Sequence, residues 1–110
     1  MIRLFYVSTA SEGVDHDAVA EIAREAELKN AVYGVTGALG YNGTSFAQIL
    51  EGERPTVSNL VELLLKDPRH SGMIIVNMRE IESRKFDGWG MRHIADPDFQ
   101  ELLEAAASIP

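Results

Sequence analysis

The fold is decided by residues 32–51, which read Val32-Tyr33-Gly34-Val35-Thr36-Gly37-Ala38-Leu39-Gly40-Tyr41-Asn42-Gly43-Thr44-Ser45-Phe46-Ala47-Gln48-Ile49-Leu50-Glu51. Two stretches of β character, residues 32–41 and 45–51, flank Asn42-Gly43. That dipeptide supplies the positive backbone angles of a tight hairpin turn, so the two stretches are expected to pair antiparallel. Glycines at 34, 37 and 40 punctuate the first strand. In the returning strand Phe46, Gln48 and Leu50 share one face, and Ala47 and Ile49 the other.

Upstream, residues 2–9 read as a strand in which Tyr6 and Val7 favour extended structure. Ile2, Leu4, Tyr6 and Ser8 line one face; Arg3, Phe5 and Val7 line the other. Apolar groups on both faces predict a central strand covered on both sides. Asp15 is positioned to cap a helix running to about residue 29, with Val19, Ile22, Ala23 and Ala26 as its buried stripe and Glu21, Arg24, Glu25 and Glu27 on the wet side.

Downstream of Gly52, Pro55 suits a first helical turn, and Val57, Leu60, Val61 and Leu64 make a second stripe that Asp67-Pro68 ends. Residues 73–78 and 83–94 read as a fourth and a fifth strand. Asp96-Pro97-Asp98 then starts a short terminal helix with Phe99, Leu102, Leu103 and Ala106 as its stripe. The order βαββαββ plus a helix predicts an α+β, ferredoxin-like sandwich: one domain over residues 1–94 and a tail over 95–110. The far face of the sheet then needs a cover, from the terminal helix or from a second copy of the chain.

The chain has 110 residues, enough for one domain with its own core. Ten Lys and Arg against seventeen Asp and Glu leave a net charge of −7, which disfavours nucleic acid and anionic membrane as partners. Cysteine is absent, which removes disulfides, thiolate catalysis, Cys-ligated metals and any photochemistry through a cysteinyl adduct. No apolar run approaches the ~18 residues of a membrane span. The start lacks the pattern of a secretory signal, so the expected location is cytoplasmic.

Several polar residues stand in unusual places. Gln48 interrupts an apolar strand, and a buried primary amide left unpaired costs ~1–3 kcal/mol, so backbone, water, a side chain or a ligand must meet it. Taken alone it reads first as a structural glutamine. Tyr6 reads first as a core tyrosine, although a phenol is also one of the few side chains that gives up an electron and a proton reversibly. Asn30 reads as a helix-terminal residue in left-handed geometry, or as an amide offered to a ligand. Asp67, Arg69 and His70 suit either a solvated turn with a surface ion pair or the carbonyl and imide edge of a heterocycle. Trp89 and Met91 read as core. His16, His70 and His93 show no metal-ligand spacing, so no metal site is expected. Dinucleotide, P-loop and nucleophile-elbow motifs are absent.

In order, these residues resemble the BLUF family, flavin-binding sensors of blue light. The resemblance is carried by Leu4-Phe5-Tyr6-Val7-Ser8, Asn30-Ala31-Val32-Tyr33-Gly34-Val35-Thr36-Gly37, Phe46-Ala47-Gln48-Ile49-Leu50-Glu51-Gly52, Asp67-Pro68-Arg69-His70 and Arg84-Lys85-Phe86-Asp87-Gly88-Trp89-Gly90-Met91. It implies the same sandwich and a flavin, FAD first, with FMN or riboflavin carrying the same ring. It implies that Tyr6 is the photochemical donor, that Gln48 is the amide between donor and ring, and that Asn30 holds the ring's carbonyl and imide edge. Ile22, Lys29, Asp67, Arg69 and His70 are the further expected cofactor contacts, and Trp89 and Met91 the expected signal relay. Lys29 and Gly40 depart from the family's habit. Lys29 is available to a phosphate of the cofactor tail, and Gly40 loosens packing near the pocket.

The resulting expectation is a photoreceptor, not an enzyme. Light-driven electron and proton transfer from Tyr6, with rearranged Gln48 hydrogen bonds, is expected to give a red-shifted state. That state would be passed to a separate partner protein or through homo-oligomerisation, since the residues after 94 leave no room for an output enzyme. Two other readings stand beside it. One is a small acyl-phosphate hydrolase using Arg69 or Arg3 with Asn30, although no phosphate-cradling loop is present. The other is a flavin carrier or colourless module without signalling.

Overall fold

A computed structural model of the chain describes residues 1–88 and the strand at 92–94. The elements are β1 (Ile2–Ala10), α1 (His16–Tyr33), β2 (Thr36–Tyr41), β3 (Ser45–Gly52), α2 (Arg54–Leu65), β4 (His70–Glu80) and β5 (Arg92–Ile94). The sheet order is β4-β1-β3-β2-β5. The first four of these strands are antiparallel neighbours, and β5 joins β2 in parallel. Both helices cross the same face: Val19 and Ala23 of α1 and Val57 and Val61 of α2 pack with Ile2, Leu4, Leu39 and Leu50 in one core. This is the α+β, ferredoxin-like arrangement.

The hairpin closes at Asn42-Gly43, although only Gly43 of the pair takes a positive φ. Asn42 Oδ1 accepts from the backbone N–H of Thr44 and of Ser45, and Gly43 takes φ 100°. Gly37 of β2 is fixed by close approach, because a Cβ there would lie 2.0 Å from the Ile49 carbonyl oxygen.

Boundaries differ from expectation at three places. Asp15 caps α1 as expected, accepting from Ala18 N–H at 2.8 Å, but the helix continues four residues beyond 29 and ends at Gly34, φ 71°. Val32 and Tyr33 are therefore helical and exposed, and the strand begins at Thr36. Their β propensity is weak beside an intact helical ladder, which runs on until a glycine can turn left-handed. Asn30 is consequently a buried residue of the last turn rather than a left-handed terminus.

The fourth strand is longer than residues 73–78. It pairs with the whole of β1, and its eleven residues match the nine of β1 through register shifts at Phe5/Tyr6 and Val7/Thr9. The fifth strand does not begin at Ser83. The N–H groups of Lys85 and Phe86 donate to the Glu51 carboxylate instead of a ladder, and Gly88 turns the chain at φ 84°.

On the far face Phe5, Ala38, Ala47, Ile49 and Phe86 form a second cluster, so part of the cover comes from the segment before β5. The expected terminal helix lies outside the described residues.

Candidate functional site

Tyr6 and Gln48 are cross-strand partners of β1 and β3. Alternation puts both on the helix-covered face, where they are 3% and 5% exposed. The Tyr6 hydroxyl donates to Gln48 Oε1. Burial pushes the phenol far above the ordinary tyrosine range, and the negative charge of Asp67 adds to it. Tyr6 is thus held protonated, a donor with its hydrogen directed at one amide oxygen.

These two side chains close the inner end of a cavity of about 260 Å³ between α1, α2 and the sheet. Ile22 and Ala26 form one wall, Leu60, Leu63 and Leu64 the opposite wall, and Leu39 and Phe46 the floor. Asn30, 2% exposed, brings a second amide to the same cavity. The inner polar groups are therefore one phenol and two carboxamides, each amide able both to donate and to accept.

The rim carries charge. Asp67 accepts from Arg69 Nε at 3.0 Å and from Nη2 at 2.8 Å, a two-pronged pair. Arg69 Nη1 reaches across to Glu25 of α1 at 3.1 Å. The hydrogen bond from Arg69 holds the Asp67 carboxyl below its usual range, and Asp67 in turn keeps the guanidinium protonated. Lys29 is the other cation lining the rim, so Glu25 and Asp67 are formally balanced by Lys29 and Arg69.

His70 lines the same cavity, but both of its ring nitrogens meet protein atoms. Nε2–H donates to the Leu64 carbonyl at 2.6 Å, and Nδ1 meets the Ser8 hydroxyl at 2.7 Å. Its ring lies 6.2 Å from that of Tyr6, so it braces the end of α2 against β1 beside the phenol.

The structure thus gathers Tyr6, Ile22, Lys29 and Asn30 with Gln48, Asp67, Arg69 and His70 around one cavity. Trp89 and Met91 lie outside the described residues. Sequence reasoning missed Glu25, assigned to the wet side. Its spacing from Ile22 and Lys29 at i+3 and i−4 puts it at the edge of the same helical face.

The profile of the family BLUF, described as sensors of blue-light using FAD, matches residues 1–92. The photoactivated adenylate cyclase subunit beta of Euglena longa is 34% identical over an alignment of 114 positions, gaps included, that covers 97% of this chain and 13% of that protein. The blue light- and temperature-regulated antirepressor BluF of Escherichia coli K12 is 30% identical, over 98% of this chain and 28% of that protein. The chain therefore spans less than a third of the length of either relative. Among solved structures, the dark state of BlrB, a BLUF protein, superposes with TM-score 0.81 at 31% identity, covering 96% of this chain and 77% of that one. The photo-activated state of BlsA superposes with TM-score 0.83 at 29% identity, covering 94% and 76%.

Proposed function

The chain belongs to the BLUF family of flavin-binding blue-light sensors, and on that premise we propose that Tyr6 and Gln48 are its light-responsive pair. The observation that carries this is the Tyr6 hydroxyl donating to Gln48 Oε1 at the buried end of an apolar cavity.

The cavity suits a flavin ring. Its volume of about 260 Å³ is just below the ~300–1,000 Å³ of small-molecule pockets, which favours one flat ring system with its tail outside over an entire dinucleotide. Apolar walls from two helices sandwich a plane, and Gln48 and Asn30 offer donors and acceptors to its polar edge. Asp67 and Arg69 stand at the rim, with Lys29 available to a phosphate. FAD is the first candidate, with FMN and riboflavin behind it.

A bound flavin supplies a blue-absorbing ring that, once excited, accepts an electron and a proton. Tyr6 Oη holds the proton available for release, and its burial keeps that proton in place at neutral pH. Gln48 is the hinge of the response. A half-turn of its carboxamide exchanges Oε1 and Nε2 at nearly constant shape. Tyr6 Oη then changes from donor to acceptor, and the polarity that Gln48 presents to the cavity reverses. Two such arrangements need differ by only a few kcal/mol for light to shift their populations. His70 braces the end of α2 against β1 beside this pair, so the amide can move without the strands moving first.

The sensing unit is taken as residues 1–94, with 95–110 as its tail and Trp89 and Met91 as relay. The output is taken as a partner protein or self-association, supported by Ile74, Ile75, Val76 and Met78, all about half exposed or more on the edge strand β4. The location is taken as cytoplasmic; no helix among the described residues is long and apolar enough to cross a membrane. The net charge of −7 disfavours nucleic acid.

A hydrolase reading loses its arginines: Arg3 is buried on the far face against Glu51, and Arg69 is neutralised by two carboxylates. The test is direct. The purified protein is expected to be yellow and its absorption to move reversibly to the red under blue light. Yellow but inert protein would leave a flavin carrier, and colourless protein would refute the reading.

A further inference from the structure

Opposite the cavity, on the other face of the same two strands, lies an ion pair that the photochemistry does not use. Arg3 Nε donates to Glu51 Oε2 at 2.9 Å, with the two side chains 4% and 0% exposed. Arg3 and Glu51 are cross-strand partners three rungs from Tyr6 and Gln48 in the same register. Among the described residues, Arg3 Nη1 is buried without a hydrogen-bond partner. Burying two charges with one donor unsatisfied is a poor source of stability, so the pair is more readily explained by what else it holds.

What it holds is the segment before β5. The Glu51 carboxylate accepts from Lys85 N–H at 2.9 Å and from Phe86 N–H at 2.8 Å. The neighbouring Arg84 guanidinium donates to the Glu51 carbonyl at 2.9 Å, to Thr36 Oγ1 at 2.9 Å and to the Gly34 carbonyl at 2.7 Å. Residues 84–86 are thereby fastened to β3, which bears Gln48, and to the cap of α1, whose N–H binds the carbonyl of Asn30. A single short segment is thus tied to Glu51, three residues along the strand from Gln48, and to Gly34, whose N–H binds the Asn30 carbonyl.

We propose that Glu51 is a positioning residue of the light response, coupling the Gln48 strand to residues 84–86 and so to β5. The inference rests on the reading of Gln48 given above. When the Gln48 amide reorients, β3 adjusts, and the carboxylate three residues along loosens its two N–H partners.

The test is amide hydrogen exchange of the flavin-loaded protein, dark and illuminated, beside its absorption spectrum. In the wild type, illumination is expected to speed exchange at Lys85 and Phe86 about tenfold and to alter exchange at residues 92–94. In Glu51→Gln, exchange at 85 and 86 should already be fast in the dark, with or without flavin. The light-driven change at 92–94 should be lost while the red shift persists. A purely structural role would raise dark exchange yet leave the light-driven difference at 92–94. Should Glu51→Gln fail to fold, Arg84→Gln carries the same test. A red shift in the wild type without any light-driven change at 85 and 86 overturns the coupling, as does a variant that keeps the full difference at 92–94. Absence of a red shift in the wild type overturns the photoreceptor reading itself.

Discussion

Tyr6 of β1 and Gln48 of β3 face each other across one rung of the sheet, and the phenol of the first donates its only proton to the amide oxygen of the second. Nothing larger than an amide rotation is needed to invert that bond, and both partners are already desolvated. The fold's contribution is to keep the pair dry and in register.

Replacing Gln48 with Leu preserves the apolar volume and deletes the acceptor. Tyr6 Oη then stays buried without its partner, and urea unfolding should show a loss of ~1–3 kcal/mol. The variant should still purify yellow and should show no red shift. A Gln48→Leu protein with the wild-type light response would remove the amide from the account.

The raised pKa of Tyr6 gives stability a defined alkaline edge. The unfolded chain's phenol loses its proton near pH 10, whereas the folded one keeps it, so the folded state binds more protons there. The stability from the neutral buried phenol is complete below about pH 10 and declines as pH rises beyond it. Denaturant titrations from pH 8 to 11 should show this decline in the wild type and a shallower one in Tyr6→Phe. Equal slopes would contradict the burial argument.

Lys29 lines the cavity rim and is exposed. If it meets a phosphate, Lys29→Ala should weaken FMN more than riboflavin, by a factor of about 2–5, an exposed ion pair being worth ~0–1 kcal/mol. Fluorescence titration of the apoprotein at two salt concentrations would measure this. The difference should shrink at high salt.

Two glycines should behave differently. Gly34→Ala is expected to cost ~1–2 kcal/mol, the penalty of a left-handed residue with a Cβ. Gly37→Ala drives a methyl group to 2.0 Å from the Ile49 carbonyl oxygen, so β2 and β3 must separate. Its cost should exceed the ~0.5–3 kcal/mol of ordinary substitutions and show as insoluble or unfolded protein. A milder effect at 37 than at 34 would refute the close approach.

Much of the site was legible because strand alternation is strict. Counting by twos along each strand places Tyr6 with Leu4 and Gln48 with Leu50, and both faces are as counted. Helix spacing likewise put Ile22 and Ala26 on an inward stripe. What escaped depends on contacts remote in sequence. Glu51 finds Arg3 across 48 positions, and neither periodicity nor propensity encodes that distance. The same carboxylate draws residues 85 and 86 out of the strand their composition suggested. The end of α1 escaped for a local reason: Val32 and Tyr33 are indifferent helix formers, and only Gly34 has the freedom to stop the helix.

The most direct test of the central claim is the light-minus-dark absorption spectrum of purified Tyr6→Phe protein carrying its flavin. The substitution keeps the ring and its packing and removes only the transferable proton and the donated hydrogen bond. The account predicts that this protein binds flavin and absorbs blue light but forms no lasting red-shifted state. A long-lived red shift of wild-type size in Tyr6→Phe would contradict it.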